Sequence, residues 1–431
     1  MDASGYPARS YAWTVVAILI ATAILSYTDR QVLSLLVDPV RADLHISDTQ
    51  ISLLLGTAFA VVYGIAGIPL GFLADRTSRR NLIFAGVLVW SLGTLACGLS
   101  RSFGELFAAR IVVGLGEAVL SPAAISLISD YFPPARRGFA VGCFLSGIAM
   151  GIGASILIGG GVLRLVEMGA LAATPLAGQA PWRLVLLVIG APGILWALAI
   201  LAIREPPRRT EKDDASSAHA SSNAPTATWT LVIPIYVVVA LASLVDNAVG
   251  AWAPSLLIRE FARDSAEVGI VLGILLTAGF GGGVLVGGWL ADRAGARGGW
   301  TRKLGVCLVS SLLILPVSFL INVGQYNVVL LSVPLYFALS GSVTALGFSA
   351  ILDVVPNRSR GLAMAISFFL NVAIGAGAGP TAVAFASDRL FGANVGLGPA
   401  ITLTVGVSYA IAAVTLLGTL WICQPRRSFS Q

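Results

Sequence analysis

GFLADRTSRR at residues 71–80 and GWLADR at residues 288–293 are two copies of one element, and their reading decides the fold. Each closes a long apolar run and ends in an acid–base pair, Asp75-Arg76 in the first copy and Asp292-Arg293 in the second, 217 residues later. A second element repeats at nearly the same separation. Asp130-x-x-Pro133 followed by Arg137-Gly138-x-Ala140 recurs as Asp353-x-x-Pro356 followed by Arg360-Gly361-x-Ala363, 223 residues on. Two matches at almost one offset, each at the same place in its half, read as an internal duplication.

The surroundings of these copies give the fold class. The chain has 431 residues, of which 57% are hydrophobic and only 11% charged, and its mean hydropathy is +0.88. Soluble domains carry about 25% charged residues. Stretches of roughly 20 apolar residues, the length that spans a bilayer, number about twelve. They lie near 11–37, 49–74, 81–99, 103–128, 138–163, 183–203, 230–258, 267–291, 303–322, 328–352, 361–386 and 399–422. Residues 204–229 (REPPRRTEKDDASSAHASSNAPTATW) are unlike the rest, being rich in Ser, Ala, Pro and charge, and read as a linker. The expected organisation is therefore all-α and integral to the membrane, with a six-helix bundle at 1–203, a linker at 204–229 and a second bundle at 230–431. An even number of spans per half gives both halves one topology, a parallel repeat about an axis along the membrane normal.

Charge sets the orientation. The formal net charge is +6, and most of the Lys and Arg, including Arg76, Arg79, Arg80, Arg204, Arg293 and Lys303, fall on the side shared by both termini and the linker. That side is expected to be cytoplasmic, in a bacterial-type inner membrane. The basic balance is thereby explained without a nucleic-acid partner. The four cysteines, Cys97, Cys143, Cys307 and Cys423, all lie in apolar runs, which argues against a disulfide framework, a zinc site or a redox pair. The apolar run from Tyr11 continues past Asp29-Arg30 with no small-x-small cleavage site, so it reads as the first span rather than a cleaved leader.

Within the spans the informative residues are the charged ones, since an ionised group at bilayer depth costs from a few to more than about ten kcal/mol. SYTDRQ (26–31) places Asp29 and Arg30 inside the first span. RIVVGLGEA (110–118) places Arg110 and Glu117 in the fourth, seven residues apart and so on one helix face. At 1.5 Å per residue, Asp29, Arg30 and Arg110 lie roughly 8–9 Å from the midplane and Glu117 close to it. Asp246 is the deep acid of the second half. A carboxylate beside an arginine ionises, and one moved from it into an apolar setting takes up a proton. The alternative reading of such pairs is structural, two charges holding helices together. Tyr27, Phe59, Tyr63, Trp252, Tyr336 and Phe337 are aromatics suited either to packing or to an apolar part of a substrate. No cofactor or metal is implied. A membrane enzyme would need a nucleophile–base set or metal ligands in the spans, and no such motif is present, so the chain is not read as an enzyme.

The loop at 71–80 resembles the signature G-x-L-A-D-R-x-G-R-R of the major facilitator superfamily, with Ser78 at a position where glycine is frequent. Arg110-x-x-x-Gly114-x-Gly116 resembles that family's helix-4 motif, whose arginine is associated with proton coupling. Tyr27-x-Asp29-Arg30 and Gly116-Glu117-Ala118 are similar to the spinster branch of sphingolipid and lysolipid transporters, over residues 26–160, with Ala74 where that branch has glycine. Organic-anion and hexuronate symporters share a related helix-1 element. The resemblance implies two bundles moving by alternating access as a functional monomer. It places Asp29, Arg30, Arg110, Glu117 and Tyr27 at a proton-coupling and substrate cavity, while Asp246 reads either as a substrate contact or second proton site there or as a carboxyl hydrogen-bonded within its bundle. It also makes Gly71, Asp75, Arg76, Arg79, Arg80, Asp292 and Arg293 a cytoplasmic gate. The expected cargo is an amphipathic anionic or zwitterionic lipid moved with protons; the alternative is a small organic anion.

Overall fold

The computed structural model describes residues 6–207, 227–355, 360–391 and 396–423. Among them, helices are the only regular secondary structure. The first half runs α1 (Arg9–Gln31), α2 (Val37–Leu44), α3 (Asp48–Ser52), α4 (Ala58–Arg76), α5 (Arg79–Leu99), α6 (Phe103–Glu117), α7 (Leu120–Tyr131), α8 (Pro134–Glu167) and α9 (Pro181–Leu201). The second runs α10 (Ala227–Phe261), α11 (Ser265–Leu320), α12 (Tyr326–Val354), α13 (Arg360–Leu370), α14 (Gly377–Ala386) and α15 (Gly398–Ile422). Eleven stretches among the described residues are long and apolar enough to cross a membrane. One of them, α11, is 56 residues long and holds two expected spans, because its helical path is broken at Gly298 and Gly299. Gly299 has φ 63° and ψ −157°, a conformation essentially restricted to glycine. With its two arms counted apart, the architecture is consistent with twelve spans.

Several expected spans are not single helices, and local chemistry explains where they break. The first ends at Gln31 and passes through a 3₁₀ turn, Val32–Ser34, before α2. Pro39 lacks an N–H and its ring crowds the carbonyl four residues earlier, at Leu35, so one helix cannot run through. Val32, Leu33, Leu35, Leu36 and Val37 stay buried all the same. The fourth span breaks at Ala118-Val119, between α6 and α7. Pro122 removes the bond to Ala118 in the same way. The second span passes from α3 to α4 through a π-helical segment, Leu53–Thr57.

The chain divides into two compact units, Met1–Ala220 with Ala251–Thr277, and Ser221–Gly250 with Ala278–Gln431. In the first, the end of α10 is held by Arg259, which donates to Asp38 at 2.6 Å and to both oxygens of Asp48 at 2.7 and 2.9 Å. Each unit also carries a charged clamp at the end where its third and fourth spans meet. Arg79, 1% exposed, pairs with Asp130 and with Glu205 (2.8 Å) and donates to the Pro206 carbonyl at 3.3 Å. In the second unit Lys303 pairs with Asp353 at 2.6 Å and donates to the Ser349 hydroxyl at 2.8 Å. Ser78, the departure from glycine in the signature loop, is the N-cap of α5: its hydroxyl accepts from the Asn81 N–H and donates to Glu205 at 3.0 Å.

Candidate functional site

Arg110 is the anchor of the site. It is 2% exposed and binds three backbone carbonyls: Leu54 through Nε (3.2 Å), Asp29 (3.3 Å) and Arg30 (3.2 Å). Two breaks in helical regularity make those acceptors available. The carbonyls of a helix's last turn have no partner within the helix, and α1 ends at Gln31. A π segment likewise disturbs the regular ladder, and Leu54 lies in one. A cation at the C-terminal end of α1 also suits the helix dipole.

Asp29 and Arg30 are adjacent, yet they face different surroundings, because successive helical residues point about 100° apart. Asp29 is 1% exposed, and neither of its carboxyl oxygens has a hydrogen-bond partner among the described residues. The polar groups facing it are Thr94 and Trp90 of α5, and the Trp90 Nε1 is itself without an acceptor. Arg30 turns the other way. Its guanidinium lies 4.1 Å from the Phe59 ring centroid and 5.6 Å from that of Tyr27. It lines a small pocket with Ala23, Ser26, Tyr27, Tyr63, Glu117, Leu120 and Ser121. Glu117 is 3% exposed, and its Oε1 has no hydrogen-bond partner among the described residues.

The first half thus brings Arg30, Arg110 and Glu117 around the end of α1, with Tyr27 at the pocket wall and Asp29 behind it against α5. Among the described residues no ion pair within 4.0 Å joins these four charged groups to one another. The expected carboxylate partners of Arg110 are replaced by carbonyl oxygens. The two glycines between Arg110 and Glu117 set the close packing. A Cβ on Gly114 would come within 3.0 Å of the Phe59 carbonyl, and one on Gly116 within 2.6 Å of the Trp90 nitrogen.

Asp246 sits in the other unit, on α10. Its Oδ1 accepts from the Tyr336 hydroxyl (2.8 Å) and the Ser340 hydroxyl (2.6 Å). Tyr409 donates in turn to Ser340 at 2.8 Å. Of the loop residues expected at a gate, Arg79 and Arg80 are engaged inside the first unit, with Arg80 donating its backbone N–H to Glu205 at 2.9 Å. Burial alone would raise the Glu205 carboxyl; the Arg80 N–H, the Arg79 guanidinium and the Ser78 hydroxyl outweigh it and hold that carboxyl below the usual range. Arg76, Asp292 and Arg293 are exposed. The Asp75 side chain lies outside what is described. A Cβ on Gly71 would meet nothing within 4 Å.

A family model described as Major Facilitator Superfamily matches residues 19–380. The chain belongs to that superfamily. It is therefore a membrane transporter rather than an enzyme. Among major facilitator relatives, the chain is 29% identical over 432 residues to an "MFS-type efflux pump" of Mycolicibacterium smegmatis, covering 96% of this chain and 93% of that one. It is 27% identical to the "Hexuronate transporter" of Bacillus subtilis, over 87% of this chain and 88% of the relative. Among solved structures it resembles a bacterial homologue of the human lysosomal transporter spinster, in an inward-facing and occupied conformation. That match has a TM-score of 0.76 and 26% identity over 96% of each chain.

The residues that the sequence did not single out are chiefly backbone atoms and hydroxyls. The carbonyls of Leu54, Asp29 and Arg30 have no side-chain signature. Ser26, Ser121, Ser340 and Tyr409 are ordinary span residues until the fold gathers them. Arg259 appears in the sequence as one more loop arginine, and only the structure ties it to Asp38 and Asp48.

Proposed function

We propose that this chain is a secondary active transporter that moves an amphipathic anionic or zwitterionic lipid together with protons, by alternating access of the bundles 1–203 and 230–431 about the linker. The observation that carries the reading is Arg30. It is a guanidinium at membrane depth with no carboxylate within 4.0 Å among the described residues, held instead against two aromatic rings beside a pocket. Such a cation is ready to meet the acidic group of a cargo, while the rings suit an apolar part. Asp29 and Glu117 are carboxyls with unpaired oxygens in the same region, and these are the groups assigned to carry protons. Arrival of an anion at Arg30 changes the field at Glu117 across the pocket, which links cargo to proton. Arg110, held by three carbonyls, is the fixed charge of this scheme rather than the moving one.

The gate proposed for Gly71, Asp75, Arg76, Arg79, Arg80, Asp292 and Arg293 rests on the signature-loop sequence, cytoplasmic termini in an inner membrane on the distribution of Lys and Arg, and function as a monomer on the family resemblance. A second reading, a proton-coupled symporter of a small organic anion, is favoured by the polar pocket wall of Ser26, Tyr27, Tyr63 and Ser121 and by the hexuronate-transporter relative. Uptake by proteoliposomes under an imposed pH gradient tests both. Gradient-driven accumulation of a lysophospholipid and none of a hexuronate is expected; the reverse pattern establishes the second reading instead.

A further inference from the structure

Asp29 and Asp246 are 217 residues apart, the separation of Asp75 and Asp292. Glu117 and Ser340 are 223 apart, the separation of Asp130 and Asp353. The Asp246 site is thus the duplicate of the Asp29 site, and the two copies differ in their cations. Asn247 stands where the repeat places Arg30, and Val333 where it places Arg110. The second half's expected spans contain no Lys or Arg apart from Lys303 at the start of one of them, and that side chain is taken by Asp353 and Ser349. The first half carries two acids and two arginines at depth; the second carries one acid and no compensating base.

The surroundings of Asp246 sharpen this imbalance. Tyr336 and Tyr409 are fully buried, and their rings stand edge to face at 6.3 Å, with Phe337 and Phe280 continuing the apolar wall. Two hydroxyls occupy Oδ1. No hydrogen bond reaches Oδ2 among the described residues, and Asp246 is partly accessible. A carboxylate in an apolar wall, with one oxygen already held in place and no counter-charge, attracts a positive group strongly because the local dielectric is low.

We infer that Asp246 is the acceptor for an organic ammonium group on the transported molecule. This rests on the lipid reading above and narrows it to lipids that carry an ammonium group. Tyr336 and Ser340 position the carboxylate and do not themselves contact the cargo.

The test compares proteoliposome uptake of lysophosphatidylethanolamine with that of its N-acetylated form, which keeps the phosphate and acyl chain but has no positive charge. In the unaltered protein the ammonium form should show a KM lower by more than about tenfold, the scale on which an opposite buried charge matters. Asp246→Asn should erase that preference by raising KM for the ammonium form alone. Tyr336→Phe, which keeps the carboxylate, should retain it in part. Equal KM values for the two lipids in the unaltered protein overturn the inference and leave the lipid reading standing. So does an Asp246→Asn change that raises both KM values equally. Loss of pH dependence in Asp246→Asn with the preference intact assigns the carboxyl to a proton and overturns the ammonium role. Uptake of neither lipid by the unaltered protein, with hexuronate transported, overturns the lipid reading and this inference with it.

Discussion

Asp29 and Asp246 occupy matching positions of a duplicated sequence but are held in opposite ways. Asp29 is shut against Trp90 and Thr94 with both oxygens unpaired, while its neighbouring charges are bound elsewhere, Arg110 to carbonyls and Arg30 to rings. Asp246 has lost both arginines and gained hydroxyls, which grip a single oxygen. One half keeps its acid available by giving its cations other partners; the other keeps its acid in place with neutral donors. The difference teaches that the repeat preserves where an acid sits in the span, and leaves its chemistry to the residues that face it from other helices.

Removing the anchor that only the first half possesses should have the largest effect. Arg110→Met strands three carbonyl oxygens, each worth about 1–3 kcal/mol when left unpaired. Val333→Ala, at the matching position, costs only an ordinary cavity of about 1–2 kcal/mol. Thermal unfolding in detergent should show a several-fold larger drop in midpoint for the arginine variant, and equal drops would break the comparison. The clamps come next. Arg79→Ala leaves Asp130 and Glu205 without their buried partner, a loss of about 3–5 kcal/mol. Lys303→Ala frees a single, 38% exposed Asp353 and should cost about 1 kcal/mol, measured the same way.

The two acids themselves should differ by less. Asp246→Asn weakens two charge-assisted hydrogen bonds and should destabilise by about 1–2 kcal/mol. Asp29→Asn has no such bond to weaken and should be neutral or stabilising, because an unpaired buried carboxyl is replaced by an amide. Similar losses in both would mean that the two acids are held alike. The smallest effect is a pH dependence of the first clamp. The Glu205 carboxyl is held below its usual range, so its contribution is present above the ordinary carboxylate range and is lost as pH falls through the lowered folded value. Unfolding midpoints of Glu205→Gln and of the unaltered protein should converge in acid and diverge towards neutral pH.

The repeat, the spans and the identity of the deep charged residues were legible from sequence, since apolar length and intramembrane charge are written directly in residue types. GFLADR with GWLADR, and Asp130-x-x-Pro133 with Asp353-x-x-Pro356 at nearly the same offset, carry the duplication. What the charges touch was not legible. That Arg110 would bind carbonyls depends on where α1 stops and where α4 is preceded by a π segment. Pro39 and Pro122 signal the breaks at the first and fourth spans, but no residue in LLLGT (53–57) announces a π segment. That Asp29 and Arg30 point apart follows from helical geometry, yet which neighbour each meets depends on packing set elsewhere. Ser78 shows the same limit. In the sequence it is only a departure from glycine, whereas in the fold it caps α5 and holds Glu205.

The central claim is that an unpaired first-half carboxyl links cargo to protons, and flux against pH tests it most directly. Glu117→Gln in proteoliposomes should retain substrate exchange in the absence of a gradient while losing accumulation driven by an imposed pH gradient. Gradient-driven accumulation with an unchanged pH profile in that variant would contradict the account.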